Sequence, residues 1–253
     1  MLTLAPMRVK PVSEKFDVVA LIEDRLGREL RSGDVLVISS KFLAISEGRV
    51  VNLMGVVPGS AAVSLGTRYH VDPRLCELVI RESDVVIGGV RGFLLTVKDG
   101  LLAPNAGIDK SNMVHGMVVL YPRRPELLAL AIRRGLKFSL GVDVGVVVCD
   151  SRLMPMRRGT TGVAVASSGI EAILDFRGKR DLFGNVLKVT SQALADDLSS
   201  AAQVLMGESD EAVPVVLVRG LGERLARDVE YPSVGFSIPA EECVYLRSLS
   251  RAE

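Results

Sequence analysis

Apolar residues recur with a helical period at Phe16, Val19, Ala20, Ile22 and Leu26, which predicts an amphipathic helix over 16–30. The strongest stripe is Ala193, Leu194, Leu198, Ala201, Ala202 and Leu205. It predicts a helix over 190–206, with Thr190 as N-cap and Gly207 as its stop. Asp72-Pro73 pairs an acidic N-cap with proline at the first helical position, so a helix should run to about Glu82. A further helix is expected over 125–136, with Arg133 and Arg134 where the dipole favours cations. Short apolar runs predict strands at 2–9, 35–38, 48–53, 117–121, 163–166 and 215–218. Over 85–102 the strands should break at Gly88-Gly89, Gly92 and Asp99-Gly100. The run 144–149 is continuous and rich in valine, as in a strand buried on both faces. The last 30 residues are weakly patterned, with a short strand and a helix expected. Strands and helices are interspersed without strict alternation, which predicts an α+β fold with mixed β-sheets and packed helices. Residues 1–253 read as a single domain, with two interleaved subdomains as an alternative.

Composition narrows the chemistry. Hydrophobic residues make up 48% and charged residues 24% of 253, so the chain can bury a core. With 4% aromatics and no Trp, that core is aliphatic. His70 and His115 are the two histidines, and Cys76, Cys149 and Cys243 are the three cysteines. No CxxC, HExxH or zinc-like spacing exists, and three scattered cysteines suggest a reducing compartment. His115 lies four residues after Ser111, yet nothing else supports a hydrolase triad. A net charge of +1 shows no global footprint for nucleic acid. Arg outnumbers Lys by 23 to 8, which reflects codon bias or a use for bidentate contacts. No apolar run approaches the ~20 residues that span a membrane, and the N-terminus lacks a signal-peptide pattern. A soluble cytoplasmic protein is expected.

Phosphate-binding signatures of the usual kinds are missing: there is no GxxxxGK[ST], and Gly220-Leu-Gly222 fails GxGxxG. What remains is a set of carboxylates at expected strand ends. Asp109 sits in the turn-rich stretch Ala103-Pro-Asn-Ala-Gly-Ile-Asp109-Lys110-Ser111-Asn112, and Asp150-Ser151 follows the most buried strand. Together they suit a hard divalent cation such as Mg²⁺ or Mn²⁺, or they serve as turn caps. Arg157-Arg158-Gly159 suits a phosphate clamp or a solvated loop. Met206-Gly207-Glu208-Ser209-Asp210-Glu211 is a glycine-stopped helix end leading into an acidic turn.

Eight short segments, taken in order, resemble the coenzyme F-420 γ-glutamyl ligase family. They begin with Gly33-Asp-Val-Leu-Val-Ile-Ser-Ser40, Ser46-Glu47-Gly48-Arg49, Asn105-Ala-Gly-Ile-Asp109 with Ser111-Asn112, and Val144-Gly-Val-Val-Val-Cys-Asp150. They continue with Arg157-Arg158-Gly159, Asp181-Leu-Phe-Gly184, Leu205-Met-Gly207-Glu208 and Pro214-Val-Val-Leu-Val-Arg-Gly220. The resemblance implies an intertwined homodimer with a nucleotide cleft between sheets. It implies GTP-dependent joining of L-glutamate to the carboxylate of a deazaflavin coenzyme precursor, via an acyl phosphate. Two divalent-metal sites are implied: Asp109 and Asp150 would hold one ion, and Ser151 and Glu208 would hold the other. Pro11, Ser40, Lys41 and Asn112 would contact the nucleotide, as would Met206, Gly207, Ser209 and Asp210 in the following turn. Arg157, Arg158 and Lys110 would supply fixed positive charge during catalysis.

The chain also departs from that pattern. An N-terminal Gly-Leu-Pro-Leu loop reads Val9-Lys10-Pro11-Val12, a lysine becomes Ile45, and the usual Gly-Arg after the second acidic motif reads Arg152-Leu-Met-Pro155. A paralogue acting on another carboxylate or amino acid, or a non-catalytic nucleotide- or metal-binding regulator, stays open.

Overall fold

A computed structural model describes residues 1–222, 230–231 and 235–249. The central sheet contains β1 (Thr3–Met7) and β2 (Val35–Ser39), separated in the chain by helix α1 (Val18–Leu26). Helix α2 (Ser40–Ser46) and β3 (Val50–Asn52) lead into α3 (Ser60–Tyr69) and α4 (Pro73–Glu82). A meander follows: β4 (Val85–Val90), β5 (Phe93–Lys98) and β6 (Leu101–Pro104). Then come β7 (Met117–Val119), α5 (Pro125–Leu140), β8 (Gly145–Leu153) and β9 (Thr160–Ser168). The short strands β10 (Leu174–Asp175) and β11 (Ser191–Gln192), helix α6 (Leu194–Met206), β12 (Val215–Arg219) and α7 (Val244–Leu249) complete the described elements.

The five-stranded sheet has the order β1-β12-β2-β8-β9. Only β2 and β8 run parallel, and the other neighbours are antiparallel, so the fold is α+β with mixed sheets. Strand periodicity divides the core in two. Leu36, Ile38, Val146 and Val148 face α1 and α5, while Val35, Val37, Val147 and Cys149 face α6. A third core joins α3 and α4 to Leu94, Ile108 and Val118. It lies in the long excursion between β2 and β8.

Most expected elements form close to their expected places. Helix α4 starts at Pro73, capped by the Asp72 side chain, and ends at Glu82. Three readings need correction. Thr190 is not an N-cap: 191–192 pair with β10, and α6 begins at Leu194. Gly88-Gly89 does not end a strand, because β4 absorbs the irregularity as a bulge between Val86 and Gly88. Asp150 does not end its strand, because β8 continues to Leu153 against β9. Helix α2 was not expected. Phe42, Leu43, Ala44 and Ile45 are all buried, so it shows no amphipathic stripe. Near the C-terminus, 223–229, 232–234 and 250–253 lie outside the described residues. No helix among the described residues is long and apolar enough to cross a membrane.

Candidate functional site

The parallel pairing of β2 with β8 builds the floor of the site. Ser39 lies opposite Cys149, so the next residues along each strand, Ser40 and Asp150, emerge side by side. The Ser40 hydroxyl donates to Asp150 Oδ1 at 2.8 Å. Arg152 is two residues further along β8 and therefore on the same face. Its Nε donates to Asp150 Oδ2 at 2.9 Å, and its Nη1 donates to the Leu102 carbonyl at 2.9 Å. Burial favours a neutral guanidine, but the charge and hydrogen bonds supplied by Asp150 and Tyr121 together outweigh it and keep Arg152 firmly protonated.

Ser151 points to the other face of β8. Its hydroxyl donates to Glu208 Oε1 at 2.6 Å, where Thr160 Oγ1 and Gln203 Nε2 also donate, each at 2.5 Å. Thr160 pairs with Leu153 across the β8–β9 ladder, which places it diagonally from Ser151 on one face. Glu208 follows the end of α6, where Gly207 has φ +67°. That left-handed backbone favours glycine, which lets the acidic turn fold back so that the Glu211 carboxylate accepts from the Ser209 amide at 2.9 Å.

Asp109 is set by an unusual turn. Asn105, Ala106 and Gly107 all have positive φ, and a Cβ on Gly107 would lie 2.6 Å from the Tyr121 ring. Asn105 Oδ1 accepts from the Leu94 amide at 2.9 Å, tying the turn to β5. Beyond it, Asp109 exchanges backbone hydrogen bonds with Val119. Its carboxylate accepts from Lys41 Nζ at 3.0 Å, from the Ser111 amide at 2.7 Å and from the Ser111 hydroxyl at 2.8 Å. Burial pushes the Asp109 carboxyl up, but the Lys41 charge and the Ser111 hydrogen bonds win, holding it below the usual carboxylate range. Asn112, also at positive φ, donates from Nδ2 to the Ser209 carbonyl at 2.6 Å and joins this turn to the acidic one.

These groups line a cleft of ≈ 740 Å³. Asp109, Asp150, Ser151 and Glu208 all border it, as do Pro11, Ser40, Lys41 and Asn112. Met206, Gly207, Ser209 and Asp210 form another part of its wall. Arg157, Arg158 and Lys110 do not line it. The two arginines occupy the exposed β8–β9 turn, where no packing draws them inward, and Lys110 is exposed beyond Asp109. The cleft's buried arginine is Arg152, which the sequence marks only as a departure from the family pattern and to which it assigns no site role. Its signal was the strand period that puts it on the face of Asp150. Thr160 and Gln203 were also missed: Thr160 is 48 positions from Glu208, and Gln203, five residues before Glu208, reaches it only because the chain turns back after α6.

The donor set suits a hard cation. Every candidate ligand is a carboxylate or hydroxyl oxygen, and neither a thiolate nor a histidine borders the four. Burial pushes the Cys149 thiol up to about 12, so no thiolate is available there at neutral pH. Among the described residues, no three His, Cys, Asp or Glu side chains form a ready-made metal cluster. One or two carboxylates per ion is the pattern of Mg²⁺, whose remaining positions go to water and substrate phosphate.

The fold and cleft define an α+β protein with an oxygen-rich site. Residues 6–220 match the model of the F420-0:Gamma-glutamyl ligase family, and the chain belongs to that family of ligases. It is similar to the coenzyme F420:L-glutamate ligase of Methanopyrus kandleri, at 37% identity over 98% of this chain and 97% of that protein. The protein of the same name from Methanocaldococcus jannaschii is 36% identical over 80% of this chain and 83% of its own length. The one from Methanothermobacter thermautotrophicus is 36% identical over 81% and 82%.

Proposed function

We propose that this chain joins L-glutamate to the carboxylate of a deazaflavin coenzyme precursor, with GTP as co-substrate. The convergence of Asp109, Asp150, Ser151 and Glu208 on one cleft, in a chain of this family, carries that reading. A carboxylate oxygen of the precursor takes the γ-phosphoryl group, giving an acyl phosphate and GDP. The glutamate amine then attacks the acyl carbon, the C–O bond to phosphate breaks, and the amine loses a proton as the amide forms. Phosphoryl transfer of this kind relies on positioning and charge neutralisation, so it needs no histidine.

Asp109 and Asp150 would hold one Mg²⁺ or Mn²⁺, and Ser151 and Glu208 another, and such ions would offset phosphate charge. Ser40 orients Asp150, while Thr160 and Gln203 orient Glu208. Lys41 carries a positive charge that reaches the cleft. Ile45 packs with Ala44 and Val119, so its apolar side chain is absorbed by a small core as well as bordering the cleft.

The same reading includes a homodimer. Val85, Val90, Phe93 and Leu95 lie on one exposed face of the β4–β5 hairpin, an apolar patch of the kind that marks an association surface.

Purified protein incubated with precursor, L-glutamate, GTP and Mn²⁺ should yield products heavier by one or more glutamyl units in mass spectrometry. GTP binding without product would overturn the ligase reading and favour a regulator. Product with a different acid or amino acid only would favour a paralogue.

A further inference from the structure

The two carboxylates that would hold one cation are each already paired with a side-chain cation. Asp109 faces Lys41 at 3.0 Å, and Asp150 faces Arg152 at 2.9 Å. The two partners differ in freedom. Lys41 carries its charge on a flexible stem and is partly exposed, so it can turn to another anion. Arg152 is 5% exposed. Its Nη1 is tied to the Leu102 carbonyl, and its guanidinium lies 5.9 Å from the Tyr121 ring centroid. Moving it away would strand a buried charge and release a backbone acceptor, so its positive charge is held beside Asp150.

We propose that Arg152 is a fixed counter-charge that keeps the Asp109–Asp150 site weak for a divalent cation until nucleotide phosphates bind. This rests on the metal reading above. A guanidinium in contact with one ligand oxygen cancels one carboxylate charge, leaving the pair a net charge of about −1 before Lys41 is considered. A triphosphate restores the missing negative charge. Cation and nucleotide then strengthen one another's binding by the same factor, because coupling between sites is reciprocal. Arg152 thereby acts as a positioning residue, orienting Asp150 and making ion occupancy depend on nucleotide.

The test measures Mn²⁺ binding by electron paramagnetic resonance of the free ion, without nucleotide and with a non-hydrolysable GTP analogue. The unaltered protein should bind Mn²⁺ at least tenfold more tightly with the analogue. Arg152→Met keeps side-chain bulk and removes charge, so nucleotide-free Mn²⁺ binding should tighten at least tenfold and the coupling should shrink. Arg152→Lys keeps the charge and should retain the unaltered protein's weak nucleotide-free binding. Arg152→Gln, which preserves hydrogen-bonding capacity, gives the same readout as Arg152→Met if the latter does not fold. Mn²⁺ binding no tighter in the charge-removing variants would overturn the proposal. Asp150→Asn separates the two layers: if it leaves Mn²⁺ binding intact, the metal assignment itself fails. If it removes binding while Arg152→Met does not tighten it, only the role of Arg152 fails.

Discussion

Ser40 and Asp150 are 110 positions apart, yet the Ser40 hydroxyl donates to Asp150 Oδ1 at 2.8 Å because β2 and β8 run parallel and in register. The excursion between these strands contains the third core and the turn that carries Asp109. One strand pair thus joins two parts of the site. Ser40→Ala removes a hydrogen bond to a charged acceptor, which contributes about 1.5–3 kcal/mol when buried. Partial burial places the expected loss near the lower end. Urea denaturation should show a lower midpoint with unchanged slope, and Mn²⁺-dependent nucleotide affinity should fall.

Asp109 and Asp150 should behave alike in binding and differently in stability. Either substitution to Ala is expected to remove metal-dependent nucleotide binding in calorimetry. Asp150→Ala also leaves Arg152 buried and unpaired, a change that costs about 3–5 kcal/mol. Its melting temperature should fall by about 10 °C. The Asp109–Lys41 pair is partly exposed, so Asp109→Ala should cost less than about 1 kcal/mol. Unchanged Mn²⁺ and GTP affinity in both variants would refute the site assignment.

The sheet was legible because β2, β12 and the first half of β8 are rich in valine, leucine and isoleucine, and two-sided burial needs no polar alternation. Helix α4 was legible because Asp72-Pro73 acts locally. Helix α2 was hidden because its middle is apolar on every side, and α3 because its stripe is weak and interrupted by Gly66. Gly66 is required where the helix meets Val71: a Cβ there would lie 2.8 Å from the Val71 carbonyl oxygen. In the site, Asp109, Asp150 and Glu208 stood out as carboxylates within ordered motifs. Arg157 and Arg158 stood out for the same reason, but an exposed turn holds them away from the cleft wall. Arg152 stood out only as a departure from the Gly-Arg pattern, because its contacts with Leu102 and Tyr121 lie far away in sequence.

The lower pH limit of stability should depend in part on Asp143. Burial raises its carboxyl pKa, but Lys137 and Arg133 outweigh burial and hold it below the ordinary value. Because the folded-state value is the lower one, the stabilisation is fully present above the unfolded carboxylate value. It fades as pH falls through that value toward the folded one. Asp143→Asn should therefore lower stability at pH 7 and flatten its decline below about pH 4. Thermal melts across that range check both features, and a parallel decline in the two proteins would refute the role.

Gly162 couples packing to the site. A Cβ there would lie 2.3 Å from the Ser199 carbonyl oxygen, which belongs to the backbone of α6 and has little room to yield. Gly162→Ala should push α6 from β9 and cost about 1–3 kcal/mol. The same helix carries Gln203 and ends just before Glu208, so binding of a second Mn²⁺ should weaken more than binding of the first. Equal effects on both ions, or none, would show that α6 does not set Glu208.

The proposed homodimer should bury the exposed face of the β4–β5 hairpin. Val90 and Phe93 are directly opposite in register, and Leu95 and Val85 continue the same face. Phe93 also borders the cleft, so a partner seated here would lie beside the site. Light scattering at micromolar concentration is expected to give twice the chain mass. Leu95→Glu places a charge on that face without touching the third core, because Leu94 and Thr96 point inward. It should yield a monomer with unchanged far-ultraviolet circular dichroism. A monomer before any substitution would refute the dimer, whereas a dimer that survives Leu95→Glu would place the interface elsewhere.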